Sequence, residues 1–152
     1  MTVSRERTVA APRDSVWELI AEPRNFSRWW PRAVRAERAA GGRWRAWLAP
    51  PRRPQATVAV LYERGQARRP TLLSFRQVVE GTPFARTFRA VSWSFELHEE
   101  APAKTRVRGR ADLELRGLAR LGGWQVRRAF RRTLDDALGA LAQALETGGP
   151  GR

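Results

Sequence analysis

The sequence contains no cysteine and a single histidine, His98. The absence of cysteine excludes a disulfide framework, a thiolate nucleophile and a zinc site with cysteine ligands. One histidine also excludes a multi-histidine metal site. His98 falls near a predicted turn beside Glu99 and Glu100, so we expect it to be exposed and ion-paired. We therefore expect neither a metal nor a cofactor, and the residues assign no catalytic group.

Long apolar runs are also missing. The N-terminal stretch MTVSRERTVAAP has no apolar core of the kind found in signal peptides, and no segment approaches the ~20 apolar residues of a membrane span. We therefore expect a cytoplasmic protein. The length of 152 residues suits one domain. We place that domain at 1–147 and a flexible C-terminal tail at 148–152.

Lysine is nearly absent, because Lys104 is the only lysine among 29 basic residues. The formal net charge of +14 is typical of proteins that bind nucleic acid or anionic membranes. The arginines are spread along the chain, however, and such a bias is also what GC-rich codon usage produces. We favour a generally basic, solvated surface, and we retain RNA, the ribosome or an anionic membrane as alternative partners.

The first part of the chain combines a strand with two short helices. The stretch VSRERTVAA (3–11) alternates as a strand does. A helix follows in PRDSVWELIAEP, where Pro12 and Asp14 suit a helix start and an apolar stripe contains Val16, Trp17, Leu19 and Ile20. A second short helix is predicted in EPRNFSRWW. It ends at Pro31.

Period-two patterns then predict three hairpins, and apolar residues at spacings of three and four predict a closing helix. The paired segments are 33–39 with 43–50 across Gly41–Gly42, 56–65 with 71–81 across an arginine-rich loop, and 84–100 with 104–117. In the last strand every second residue from Thr105 to Leu115, including Val107 and Leu113, lies on one face, and the arginines lie on the other. This alternation predicts one covered and one solvent-exposed face. A helix from about Gly123 to Glu146 is roughly 35 Å long, enough to lie along that covered face.

Three stretches resemble the START-like, Bet v 1-like superfamily, which includes the polyketide cyclase/dehydrase and lipid-transport proteins. They are TVAAPRDSVWELIAEPRNFSRWWPRAV, VSWSFELHEEAPAKTRV and LDDALGALAQALE. The chain departs from the family pattern at Ala103–Lys104, where members often have Gly-Gly. The resemblance implies an α+β helix-grip fold: a curved antiparallel sheet of six or seven strands around the long C-terminal helix, with two short helices after the first strand. It also implies a cavity for an apolar small molecule between helix and sheet.

The large apolar side chains on the predicted inner surfaces are the candidate cavity wall. Trp29 and Trp30 are adjacent, so we expect one ring to enter the core and the other to line or cap the entrance. Trp124 is expected to cap the cavity from the helix start. The other candidates are Trp44, Leu73, Phe75, Trp93, Phe95, Val107, Phe130, Leu134 and Leu138. For any single one of these residues we favour plain core packing, whereas the family resemblance favours a pocket somewhere among them. Arg45 and Gln77 are candidate polar groups inside the cavity.

Three functional hypotheses follow. The first is a protein that binds a hydrophobic small molecule, a lipid or a polyketide-like aromatic, in the helix–sheet cavity. The second is a cyclase/aromatase-type enzyme that uses the same cavity. The third is a basic module for RNA, the ribosome or an anionic membrane. The arginines at 106–110 and those at 127–132 are expected on different sides of the molecule, which argues against one continuous phosphate track. Monomer and homodimer both remain open.

Overall fold

The computed structural model describes residues 1–146, and the predicted tail at 148–152 lies outside the described residues. The strands are β1 (Thr2–Val9), β2 (Ala33–Arg38), β3 (Arg43–Leu48), β4 (Val58–Arg68), β5 (Leu72–Gln77), β6 (Phe88–Ala101) and β7 (Lys104–Leu115). The helices are α1 (Arg13–Ala21), α2 (Phe26–Trp29) and α3 (Gly123–Glu146). Short 3-10 segments cover Pro23–Asn25, Pro83–Arg86 and Gly117–Gly122.

All seven strands form one antiparallel sheet in the order β1-β7-β6-β5-β4-β3-β2. Strands β2 to β7 follow one another as neighbours, and β1 returns to pair with β7. The register places Val3 opposite Ala111 and Val9 opposite Thr105. The predicted helix-grip architecture is confirmed: a curved antiparallel sheet, short helices after the first strand and a long C-terminal helix.

The alternation of β6 and β7 produces one covered face, as the sequence predicts. Val107, Ala111 and Leu113 are buried, whereas Arg108 and Arg110 are exposed. The facing strand β6 buries its inward residues in the same way. Because successive side chains of a strand point to opposite faces, this parity assigns the concave face of the sheet to the core.

The β4–β5 hairpin differs from the prediction, because β4 continues to Arg68 and leaves only a short connection where an arginine-rich loop was expected. The strand register shifts between Arg64 and Ala67, which marks a β-bulge. The Ser74 hydroxyl accepts a hydrogen bond from the Gln66 N–H at 2.7 Å. This bond satisfies a backbone donor at the bulge, so the strand can continue through it.

Helix α3 covers only part of the concave face. It packs against β1, β7 and α2, and its fully buried residues include Leu134, Leu138 and Leu141. Contact with β7 is close at Gly109, where an added Cβ would lie 3.0 Å from Leu134 Cδ2. The helix therefore lies towards the β1–β7 edge, and the concave face of β4 and β5 is left to α2 and to an open space.

Candidate functional site

A cavity of about 420 Å³ lies where α3 and the far side of the sheet diverge. Volumes of this order are typical of sites that hold small organic molecules. Its walls come from the end of α2, the β3–β4 loop, β4 to β6, the 3-10 turn after β5 and the middle of α3. The lining residues are Trp30, Pro31, Arg32, Leu48, Ala49, Pro50, Pro51, Val58, Val60, Tyr62, Gln77, Phe84, Trp93, Ala129, Phe130, Arg132, Thr133 and Asp136.

Three aromatic rings from three different elements form the apolar part of the wall. The Trp30 and Trp93 ring centroids are 4.7 Å apart with an interplanar angle of 85°. Trp93 and Phe130 are stacked, with centroids 5.1 Å apart and an angle of 21°. Edge-to-face and offset-stacked pairs are favourable geometries for aromatic side chains. The three rings therefore form a rigid apolar surface that joins α2, β6 and α3.

The adjacent tryptophans occupy different environments. Trp29 is buried in the core, with its ring edge-to-face against Phe95 at a centroid distance of 5.1 Å. Trp30 is stacked on Phe26 and lies on the cavity wall. Pro31 follows immediately and also lines the cavity. The end of α2 thus places one ring in the core and the next ring beside the open space.

Of the twelve predicted wall residues, the structure places Trp30, Trp93 and Phe130 on this cavity. A second group is buried in the core and does not line it: Trp29, Trp44, Leu73, Phe75, Phe95, Val107, Leu134 and Leu138. Those that lie on strands share the inward parity of the cavity residues. The rings of Trp44, Phe75 and Phe95 pack against Phe26 or Trp29 of α2.

Trp124 lies elsewhere: it is 65% exposed and does not line the cavity. It precedes Phe130 by six residues, or about one and two-thirds helical turns. Its side chain consequently leaves α3 on a different flank from the one that faces the cavity. The expectation that Trp124 caps the entrance is corrected by this helical phase.

The polar groups of the cavity wall come mainly from α3 and from the loop after α2. Arg132, Thr133 and Asp136 follow one another on the helix flank beside Phe130, and Arg32 contributes from the loop. Arg32 has a φ of 65°, the left-handed region that non-glycine residues rarely adopt. Its carbonyl accepts a hydrogen bond from the Ala49 N–H at 2.8 Å. This bond ties the loop after α2 to the β3–β4 loop across the cavity rim.

Tyr62 and Gln77 are polar groups contributed by the sheet. Burial raises the pKa of the Tyr62 phenol well above its usual value, and a hydrogen bond that Trp30 donates to the phenol oxygen acts in the opposite direction. The phenol is therefore neutral at physiological pH. Gln77 lines the cavity as the sequence suggested, whereas Arg45 is exposed on the other face of β3.

Sequence reasoning missed several wall residues that carried a signal. Ala129, Arg132, Thr133 and Asp136 recur at spacings of three and four, so they form a flank of α3 next to its apolar stripe. Tyr62 shares the inward parity of Val60 on β4. The contributions of the β3–β4 loop had no comparable signal, because irregular segments have no period from which to predict direction.

Several charged side chains outside the cavity form ion pairs on the outer surface. His98 is exposed and lies 3.4 Å from Glu96, whereas the sequence suggested Glu99 and Glu100. Arg106 and Arg110 of β7 form ion pairs with Glu100 and Asp112. Within residues 1–146, no cluster of acidic and histidine side chains has the geometry to hold a metal ion.

A family model described as "Polyketide cyclase / dehydrase and lipid transport" matches residues 1–146. The chain belongs to this family. No curated protein matches the sequence. In the described part of the chain, no helix has the length and apolar character needed to cross a bilayer.

Solved structures of similar fold include a START superfamily protein and two aromatase/cyclase proteins. The di-domain ARO/CYC BexL from the BE-7585A biosynthetic pathway is 24% identical with a TM-score of 0.81, over 96% of this chain and 46% of that one. A START superfamily protein from Mycobacterium smegmatis is 14% identical with a TM-score of 0.77, over 97% and 99%. The Zhui aromatase/cyclase from Streptomyces sp. R1128 is 19% identical with a TM-score of 0.67, over 98% of each chain.

These similarities establish the fold of this family member. At such identities they do not transfer a substrate or a reaction. The chain spans less than half of the two-domain ARO/CYC protein, so it corresponds to one of that protein's domains in size.

Proposed function

We propose that this protein binds a hydrophobic small molecule with a flat ring system in the cavity between α3 and the sheet. The observation that carries the proposal is the open space of about 420 Å³ beside the rings of Trp30, Trp93 and Phe130. Rigid aromatic walls favour flat apolar ligands, because ring stacking adds to the free energy of apolar burial. Family membership supports the same class of ligand.

The polar groups of the wall suggest that the ligand also carries oxygen atoms. Arg32 and Arg132 line the cavity, and neither forms an ion pair within residues 1–146. The neutral Tyr62 phenol and the Gln77 amide add hydrogen-bonding groups. A ring system with carbonyl, hydroxyl or carboxylate groups would stack on the aromatic rings and form hydrogen bonds with the polar groups of the wall. Both arginine side chains are exposed, so their guanidinium groups are available to carbonyl or carboxylate oxygens of such a ligand.

The first experiment is a tryptophan-fluorescence titration against panels of flat aromatic polyphenols and of lipids, with native mass spectrometry as the second readout. The test variant Ala129→Phe places a ring in the cavity mouth. Gln125→Phe adds the same ring one turn earlier on α3, outside the cavity, and serves as the matched control. We expect saturable binding, at least a tenfold loss of affinity in Ala129→Phe, and no change in Gln125→Phe.

Two results would contradict the proposal. One is the absence of any saturable or retained ligand from both panels. The other is binding that both variants weaken equally, which would place the ligand outside the cavity.

A second candidate function is a cyclase/aromatase-type enzyme that uses the same cavity. The specific observation that favours it is the set of proton-bearing and charged groups that line the cavity from both sides: Tyr62 from β4, and Arg132, Thr133 and Asp136 from α3. A neutral phenol can donate a hydrogen bond to a carbonyl, and a nearby carboxylate can accept a proton, while the rings position a folded chain. Two solved proteins of similar fold carry the ARO/CYC or aromatase/cyclase description.

Turnover separates the enzyme from the binding protein. With a poly-carbonyl substrate analogue, Asp136→Asn and Tyr62→Phe should lower kcat while leaving ligand affinity within about threefold of the parent. Turnover that survives replacement of all four polar groups would remove them from the chemistry. Saturable binding without any turnover would contradict the enzyme hypothesis and support the binding hypothesis.

A further inference from the structure

The segment that joins β7 to α3 carries an exposed apolar ridge, which consists of Leu118, Leu121 and Trp124. Their exposed fractions are 84%, 80% and 65%. Leu118 and Leu121 lie in the 3-10 turn Gly117–Gly122, and Trp124 opens the helix that follows. Residues three apart eclipse one another in a 3-10 turn, so the two leucines share one side. Large apolar side chains exposed to this extent, in close sequence, mark an interaction surface.

The surroundings of the apolar ridge are basic. The stretch 115–134 contains six arginines and no acidic residue. Arg116 and Arg120 flank the leucines, are exposed, and form no ion pair within residues 1–146. Arg120 also shares a surface depression with Arg89 and Met1, where the one acidic neighbour is Glu114. The ridge therefore protrudes from a strongly positive surface.

We propose that the apolar ridge docks this protein on the surface of an anionic lipid bilayer. Leucine and tryptophan side chains partition into the boundary between headgroups and acyl chains, where tryptophan is enriched. Arginines beside them reach the negatively charged headgroups, and their attraction adds to the apolar term. The ridge shares no residue with the cavity, so this proposal does not depend on the proposed function.

Two other occupants fit the surface less well. A second copy of the chain in a symmetric dimer would bring the same arginines of both copies together at one interface, and like charges repel. A polynucleotide would match the charge, but Trp124 is the only aromatic ring of the ridge available for base stacking. The two exposed leucines have no role in phosphate recognition. The combination of protruding leucines with unpaired arginines matches an anionic bilayer.

The experiment is co-sedimentation of the full chain with vesicles of phosphatidylcholine alone and of equal parts phosphatidylcholine and phosphatidylglycerol. The double variant Leu118→Ser/Leu121→Ser tests the apolar contribution, and its control is Val34→Ser, at another exposed apolar residue. The double variant Arg116→Gln/Arg120→Gln tests the electrostatic contribution. Its control, Arg7→Gln with Arg108→Gln, removes the same charge from exposed positions on β1 and β7. Thermal unfolding verifies that each variant is folded.

We expect binding to the anionic vesicles only, with at least a tenfold loss of partitioning in each test variant and less than a twofold change in each control. Equal losses in tests and controls would overturn the proposal, because they would indicate general charge attraction. Failure to bind either vesicle would also overturn it. So would a concentration-dependent dimer that the leucine variant dissociates, or RNA binding that depends on the arginines alone.

Discussion

Tyr62 is the only tyrosine of the chain and is buried on the cavity wall. Burial raises the pKa of its phenol, so the folded state keeps the proton at pH values where the unfolded state releases it. As pH rises past the ordinary phenol pKa of about 10, the unfolded state gains stability and the free energy of unfolding falls. Ionisation of this phenol is therefore coupled to unfolding.

The test is an alkaline titration followed by tyrosinate absorbance and near-ultraviolet circular dichroism. We expect the tyrosinate signal to appear together with the loss of tertiary structure, and not before it. Because the chain has one tyrosine, the absorbance needs no assignment. A reversible titration near the ordinary pKa, with the dichroism intact, would show that the phenol is accessible to water.

Residue-level reasoning reached the tryptophan pair but not the limits of the cavity. Adjacent residues face different directions, and this was sufficient to predict that one of Trp29 and Trp30 enters the core and the other lines the cavity. Whether an inward ring such as Trp93 or Phe95 lies beside open space depends on where α3 crosses the sheet. Both residues have the same parity on β6, and only Trp93 lines the cavity. Alternation along a strand carries no information about that crossing.

At the scale of elements, Gly109 of β7 and Gly139 of α3 should respond oppositely to replacement by alanine. An added Cβ at Gly109 would lie 3.0 Å from both Leu134 Cδ2 and Phe95 Cε1, so Gly109→Ala should lower the free energy of unfolding by about 1–3 kcal/mol through overpacking. An added Cβ at Gly139 of α3 meets no atom within 4 Å. Gly139→Ala should raise the free energy of unfolding by roughly 0.5–1 kcal/mol through helix propensity.

Urea unfolding of the two variants beside the parent measures both changes. The pair serves as its own control, because the same methyl group is added at a crowded and at an open site. Changes of the same sign in both variants would show that the close approach of α3 to β7 at Gly109 is absent in solution.

Elements with a strong internal period were predicted well, and elements shaped by distant contacts were not. The apolar stripe of α3 predicted Gly123 to Glu146, and the structure confirms these bounds. The predicted end of β4 was wrong by three residues. The bulge that allows β4 to continue depends on Ser74 of the neighbouring strand, a contact that no local pattern of the β4 sequence contains.

For the whole molecule, the formal net charge of +14 predicts a response to salt. Excess like charge destabilises the compact state through self-repulsion, and salt screens that repulsion. Exposed ion pairs such as Arg5–Asp135 are also screened, but each contributes little. We therefore expect Tm to rise when sodium chloride is raised from low to moderate concentration, as measured by calorimetry. A fall in Tm would show that the ion pairs outweigh the repulsion.

The overall architecture was predictable, whereas the function was not. The residues predicted a strand, two short helices, a run of antiparallel strands and a long helix. The resemblance to the START-like superfamily implied that these elements form a helix-grip fold, and the structure confirms it. The chemistry of the cavity depends on loops such as 49–58 and on the flank of α3 that faces them. Those features are set by tertiary packing, so the sequence alone predicted a class of ligand and left catalysis open.

The pairing of β1 with β7 has a consequence for biosynthesis. Residues 2–9 are synthesised before the other six strands of this sheet, yet within residues 1–146 they pair only with 105–112. Until that segment has emerged, the nascent chain carries an unmatched strand with free amide and carbonyl groups. The growing polypeptide can build the meander of β2 to β6 in sequence, but β1 can pair only after β7 has been synthesised.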